Sequence, residues 1–226
     1  MKAKFGAIVV DGRGKLGGHV FAKNRSGNYM RTKVTPVNPQ TTYQQAQRSA
    51  FGSLSSGWSG LTPAQRADWN GAVEDFQKTD IFGDLKSPTG KNLYTSLNRN
   101  LLNAGESILT VPPSPDSIPA ISVTSAEANI AGTAWPVVST EDTTGAFVQA
   151  WATPALSAGT SFVKNRLRFL DSFAGGNPAT IDIWTAYVAR FGAPTAGDNV
   201  YVAVRVVNAG GEAGVLVTFK ATVVAS

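Results

Sequence analysis

Nine residues near the middle of the chain, Val111-Pro112-Pro113-Ser114-Pro115-Asp116-Ser117-Ile118-Pro119, hold four prolines and mark a change in hydrophobic period. Proline lacks an amide hydrogen and holds φ near about −65°, so the stretch excludes helix and reads as a stiff linker. Before it, apolar residues recur at steps of three and four. After it, they alternate, which is the period of strands. The fold class expected is therefore α+β, with a basic β-hairpin arm and extended connector over 1–40, a helical unit over 41–110, the linker over 111–119 and a β-sandwich over 120–226.

The alternation is clearest at the C-terminus, where Val215, Val217, Phe219, Ala221 and Val223 interleave with Leu216, Thr218, Lys220, Thr222 and Val224. Asn199–Val207 is the expected partner strand, and Asn208-Ala209-Gly210-Gly211-Glu212 has the glycines of a hairpin connection. Further strands are predicted at Ile121–Val123, Asn129–Trp135, Ala146–Thr153 and Phe162–Leu170, with Arg166 and Arg168 facing away from Leu167 and Phe169. Six or more short strands in about 110 residues point to an immunoglobulin-like or fibronectin-like sandwich. A short helix over Asp182–Phe191 is expected to cross between its sheets.

Upstream of the linker, Tyr43, Ala46, Ala50, Leu54, Trp58 and Leu61 form one helical stripe behind Thr41 and Thr42, either of which can cap it. Thr62-Pro63-Ala64-Gln65 is a second start signal: threonine at the cap, proline at the first helical position and glutamine three residues on. That helix carries Trp69, Val73 and Phe76. A third, over Lys91–Asn103, sets Leu93, Leu97 and Leu101 at steps of four and stops at Gly105. Between the last two, 81–90 reads as a loop, with Ser87 or Thr89 capping the helix that follows.

The arm opens with a strand at Phe5–Val10 and a glycine-rich turn over Asp11–Gly18. His19–Lys23 and Asn28–Val34 then flank Asn24-Arg25-Ser26-Gly27 as a hairpin, because Gly27 can take positive φ. Pro36 and Pro39 end the ladder and hold 35–39 extended. Residues 1–36 contain eight Lys/Arg and one acid, 37–105 six and five, and 106–226 six and nine. Such asymmetry predicts an acidic partner for the arm, met through Arg13, Lys15, Lys23, Arg25, Arg31 and Lys33. That partner is either nucleic acid, with Phe21 and Tyr29 available for stacking, or the acidic surface of a neighbouring protein.

Chemistry beyond binding finds little footing. With no cysteine, disulfides, thiolate metal sites and thiol catalysis are excluded. His19 is the sole imidazole, placed in a strand with no nucleophile turn around it. Gly12-Arg13-Gly14-Lys15-Leu16-Gly17 has the spacing of a dinucleotide fingerprint but no following helix, and Gly90-Lys91-Asn92 lacks the leading glycine and the Ser/Thr of a phosphate loop. Glu74 and Asp75 are adjacent on a helix and diverge, as a solvated face does. Neither enzyme activity nor a cofactor or metal is expected, and no apolar run is long enough for a membrane span or a signal peptide. Charged residues are 15% of the chain against roughly 25% in an ordinary domain. That bias suits a subunit packed against neighbours, and equally a β-rich domain with many turns.

At Gly27-Asn28-Tyr29-Met30-Arg31, Pro36-Val37-Asn38-Pro39-Gln40-Thr41, Gln44, Arg48, Phe51, Leu54 and Trp58, then Leu61-Thr62-Pro63-Ala64-Gln65-Arg66 with Trp69-Asn70, the chain resembles a group of tailed-bacteriophage and prophage virion structural proteins. The likeness continues through Gly90-Lys91-Asn92-Leu93-Tyr94, Leu97-Asn98, Leu156-Ser157-Ala158-Gly159, Tyr187, Phe191-Gly192 and the final hairpin. The resemblance implies a non-enzymatic capsid or tail protein, an oligomer in the virion and in the host cytoplasm during assembly, with no catalytic residues. Two other readings stand beside it. One is a DNA-binding packaging or regulatory protein using the six arm cations; the other is a host-glycan-binding sandwich using Trp135, Trp151 and Trp184 if they are exposed.

Overall fold

The computed structural model describes residues 12–139, 141–157, 159–160 and 162–225, and the strand expected at Phe5–Val10 lies outside them. The fold is α+β, with four α-helices and several β-sheets among the described residues. Two compact units result: Met1–Arg48 with Gln77–Lys86, and Ser49–Phe76 with Ser87–Ser226.

In the first unit, β1 (Gly14–Leu16), β2 (His19–Asn24) and β3 (Gly27–Thr32) form an antiparallel sheet in that order. The turn expected over Asp11–Gly18 is thus shorter than predicted. Leu16 pairs with His19, so only Gly17-Gly18 makes the reversal, and Gly17 takes the φ of 56° that a two-residue loop demands. Arg25-Ser26 closes the second hairpin, where the Asn24 side chain accepts from the Ser26 amide at 2.9 Å and Gly27 has φ 105°. Residues 33–41 carry no helix or strand, in keeping with the two prolines. Helix α1 (Thr42–Gly60) starts behind Thr41, whose hydroxyl accepts from the Gln44 amide at 3.3 Å. The stretch 81–90, expected to be loop throughout, instead supplies half of a small hairpin of β4 (Lys78–Thr79) and β5 (Leu85–Lys86). Asp80 organises its turn by accepting from the amides of Phe82 at 2.7 Å and Asp84 at 3.2 Å.

The second unit begins with a helical core. Helix α2 (Pro63–Gly71) opens on a complete capping box, in which the Thr62 hydroxyl accepts from the Gln65 amide and the Gln65 side chain accepts from the Thr62 amide. A 3-10 turn (Ala72–Glu74) follows, and Trp69, Val73 and Phe76 are all buried. Helix α3 (Gly90–Ala104) is capped by Thr89 and ends at Gly105 in the left-handed conformation, with the Glu106 amide returning to the Leu101 carbonyl at 3.0 Å. Its Tyr94 packs against Trp58, ring centroids 5.6 Å apart, and edge-on to Trp69 at 5.3 Å. Aromatic pairs of this kind add about 0.5–1.5 kcal/mol each beyond area burial.

The remaining strands are β6 (Val123–Asn129), β7 (Pro136–Ser139), β8 (Phe147–Ala152), β9 (Arg168–Ala174), β10 (Thr180–Asp182), β11 (Val200–Val207) and β12 (Val217–Val224). They hydrogen-bond in the order β10-β7-β6-β12-β11-β8-β9, antiparallel except for β12 with β6. Two expected strands are displaced. Asn129–Trp135 is mainly a turn, because Asn129 and Ala134 close a bridge onto each other, and the strand placed at Phe162–Leu170 begins only at Arg168. The expected helix over Asp182–Phe191 is present as α4 (Trp184–Phe191). Ala128, Val137, Val148, Ala150, Val202, Val204, Ala221 and Ile181 share one core with Trp135 and Tyr187.

The opposite face of β8 and β11 is covered by α3 through polar contacts. Arg205 donates Nε to the Gln149 side-chain oxygen at 3.1 Å and Nη2 to the Asn100 side-chain oxygen at 2.9 Å. Asn100 in turn donates to the Gly211 carbonyl at 2.8 Å and accepts from Gln149 at its own carbonyl at 3.2 Å. Gly211 has φ 82°, and a Cβ there would lie 2.4 Å from the Leu97 carbonyl oxygen of α3, so the hairpin turn can sit against the helix only with glycine. Residues 111–119 do not stand apart from this assembly. Pro113 lies against Gly210, the Asp116 amide donates to Glu212 at 3.0 Å, and Ile118 packs on the sheet core.

Both the polar contact and the aromatic core can be probed by unfolding. Arg205→Ala leaves the side-chain oxygens of Gln149 and Asn100 without its donors and should cost about 2–3 kcal/mol, with a coupling to Asn100→Ala of about 1–3 kcal/mol in urea unfolding; additive losses would show that α3 is held some other way. Burial, helped by the charge of Asp198, pushes the Tyr187 phenol up to about 12 from 10.0. Below pH 10 the phenol is protonated whether the chain is folded or not. Between pH 10 and about 12 the unfolded chain loses that proton first, so stability should fall by about 2–3 kcal/mol, and Tyr187→Phe should remove that part of the alkaline slope.

Candidate functional site

Strand register sorts the six predicted arm cations. Lys15 and Arg31 both pair with Val20, from β1 and β3 on either side of β2, so the three side chains form one row across the sheet. Strands spaced about 4.8 Å apart put the two cations roughly 10 Å from each other. Tyr29 pairs with Ala22 and lies on the same face. Continuing the alternation of β3 by one step adds Lys33, whose amide still bonds the Gly18 carbonyl at 2.8 Å. Arg13 precedes β1, with Gly14 at φ 111° between it and Lys15. Lys23 is on the other face with Phe21, Met30 and His19, and Arg25 is in the turn. The structure therefore puts Lys15, Arg31 and Lys33 on the face of Tyr29, sets Lys23 and Arg25 apart from them, and leaves Arg13 outside the ladder.

A second property of this unit is its openness. Among the described residues of Met1–Arg48 and Gln77–Lys86, none is buried. Val37 is 87% exposed, Ile81 76%, Leu16 69% and Leu85 65%, values at which these side chains contribute almost nothing to a core. The predicted stripe of α1 shows the same imbalance: Leu54 is buried and Trp58 half-buried, whereas Tyr43 and Ala46 are exposed. A three-stranded sheet needs a covered apolar face for independent stability, and the described residues of this unit do not supply one.

The other candidate sites fare differently. Gly12–Gly17 runs along a strand into a hairpin turn, and no helix follows. Gly90 is a packing residue, since a Cβ would meet the Asn70 side-chain oxygen at 2.4 Å, and Lys91 donates to the Ser55 hydroxyl at 3.0 Å. His19 pairs with Leu16 and Thr32 on an exposed strand. The tryptophans considered as a sugar platform are not exposed: Trp135 is at 0%, Trp184 packs on the core, and Trp151 meets Phe169 edge-on with the Arg205 guanidinium 5.0 Å from its ring. Among the described residues no cluster of His, Cys, Asp or Glu is placed to hold a metal ion, and no helix is long and apolar enough to cross a membrane.

Sequence reading missed the exposed apolar tip at Ile81, Phe82 and Leu85. The signal for it was the Asp80 and Gly83 spacing, which is turn chemistry inside what read as featureless loop. Comparison with protein-family models, curated proteins and solved structures finds no match to this chain. Because the first unit has no buried residue among those described, its ladder should open locally at little cost. Amides of β2 and β3 are expected to exchange with deuterium at least about a thousandfold faster than those of β8 and β11 in the free protein. Equal protection in hydrogen-exchange mass spectrometry would refute an open first unit.

Proposed function

We propose that this chain is a non-enzymatic structural subunit of a tailed-phage particle, associated with the capsid or tail, which assembles by protein contacts through its N-terminal arm and helices. One observation carries the reading: a unit with formed strands, organised turns and not one buried residue among those described. Leu16, Val37, Ile81 and Leu85 are exposed in the same unit as Lys15 and Arg31, so the unit offers both apolar and basic groups to a partner. Main-chain groups along β3 offer a further means of contact by strand addition. The sequence likeness to virion proteins points the same way.

We read the seven-stranded sheet as an immunoglobulin-like or fibronectin-like sandwich within this subunit. Val137, Ala128 and Ile181 from β7, β6 and β10 share a core with Val148 and Val204 from β8 and β11 on the other side of β12, as two facing layers do. The glycan-binding alternative loses its support with the burial of Trp135. DNA binding retains one favourable observation, the row of Lys15 and Arg31 beside Tyr29.

Light scattering coupled to size exclusion should show an oligomer, and the chain should copurify with phage particles in stoichiometric amount. A strict monomer absent from particles defeats the reading. If instead the protein binds duplex or single-stranded DNA with an affinity that falls steeply as salt rises, the DNA reading replaces it.

A further inference from the structure

The two compact units carry opposite charge. Met1–Arg48 with Gln77–Lys86 contains eleven Lys/Arg and three Asp/Glu, a net of +8, while Ser49–Phe76 with Ser87–Ser226 contains nine and twelve, a net of −3. We propose that the first unit docks on the second unit of another copy of this chain, head to tail, and that this contact covers the apolar side chains the first unit leaves in water. The inference rests on the reading of the chain as an assembly subunit and names the partner of its arm.

Three observations select that occupant. Leu16, Val37, Ile81 and Leu85 need apolar surface to cover them, which a phosphate backbone does not offer. Charge then separates the two ways in which copies can meet. A contact of first unit on first unit would bring a unit of +8 against another of +8. A head-to-tail contact sets +8 against −3, which favours both encounter and orientation. The second unit also presents both kinds of complementary group. Phe162 is 67% exposed and Val215 83%, and Glu106, Glu127 and Asp171 are exposed acids. Where the exchange is reciprocal the pair closes as a dimer; where it is not, one docking unit and one receiving unit stay free on each pair, and the assembly closes into a ring or continues as a filament.

Carbodiimide coupling tests this on the full-length protein. The reagent joins a lysine amine to a carboxyl as an amide and takes up the water lost as a urea, so it marks cations and acids in direct contact. Light and heavy isotope preparations mixed before coupling separate links between copies from links within one. Mixed-isotope links from Lys15 or Lys33 to acids of the second unit, such as Glu106, Glu127 or Asp171, are expected. Lys15→Glu with Arg31→Glu and Lys33→Glu, all exposed positions, should weaken self-association about tenfold or more with the circular dichroism unchanged. Links confined to one isotope, mixed links only to Asp80 or Asp84 of the first unit, or association that requires added DNA would each overturn the proposal. Cross-links from the arm to a different protein in purified particles would also overturn it, yet leave the assembly reading standing. A chain that forms the expected links but is missing from particles would support the head-to-tail contact and remove the phage-particle reading.

Discussion

The guanidinium of Arg205 has no carboxylate partner among the described residues, and the groups that hold it instead fix where the helices lie. Gln149 and Asn100 accept its protons through amide oxygens, and the Trp151 ring lies 5.0 Å from its charge. Burial lowers its pKa from the ordinary arginine value, as expected for a cation moved out of water without a counter-ion. Amide acceptors are directional, so they act as a register mark more than as a charge partner. A one-residue slide of α3 would part Asn100 from Arg205, Gln149 and Gly211 together. Apolar contacts alone tolerate such slides far better. Because α3 carries Tyr94, this position also sets where Trp58 and Trp69 pack, and hence α1 and α2.

That chain of support ends partway along α1. Leu54 is fully buried, but the stripe continues toward the N-terminus through Ala50, Ala46 and Tyr43, which are less covered. A helix of 19 residues is long enough to hold its own shape across that boundary once its last turns are packed. Its exposed half therefore displays a preformed apolar face. The three-stranded sheet is comparable: its ladder satisfies its own backbone groups, and Gly17, Gly27 and the Asn24 side chain shape its reversals. Hydrogen bonds and turns can thus define a structure whose apolar surface is still open.

Local chemistry was legible in the sequence wherever a signal sat within a few residues. The capping box at Thr62 and Gln65, the stop at Gly105, the hairpins at Arg25-Ser26 and 208–212, and the C-terminal alternation from Val217 onward each rest on backbone geometry that neighbouring residues dictate, whereas Val215, expected on the buried face, precedes β12 and is 83% exposed. Strand limits at 129–135 and 162–170 were misplaced for the opposite reason. Asn129 and Arg168 belong to edges where a turn and a strand compete, and the outcome depends on partners far along the chain. The four prolines were a true break in period, but a break in period is not a separation in space. Pro113 and Ile118 show that a stiff segment can lie along the surfaces it connects. Arg205 could not have been chosen from sequence, since nothing near it in the chain names Asn100 or Gln149. The arm cations were found by counting, yet only register could show that Lys15 and Arg31 share a row while Lys23 faces away.

Charge and openness together limit what the first unit can be for. A basic surface alone is satisfied by water and salt, and screening over about 8 Å at physiological ionic strength makes it a weak holder by itself. Exposed Val37 and Ile81 are not satisfied by water at all. Their burial by a partner adds roughly 25 cal/mol for each Å² of apolar surface removed from water, whereas the cations mainly set the direction and speed of approach. Covering that apolar surface would also steady a ladder that opens at little cost in the free protein, so part of the contact's free energy goes into ordering the unit. In the proposed contact the basic row would guide the apolar surface to its place, and the apolar contact would hold it there.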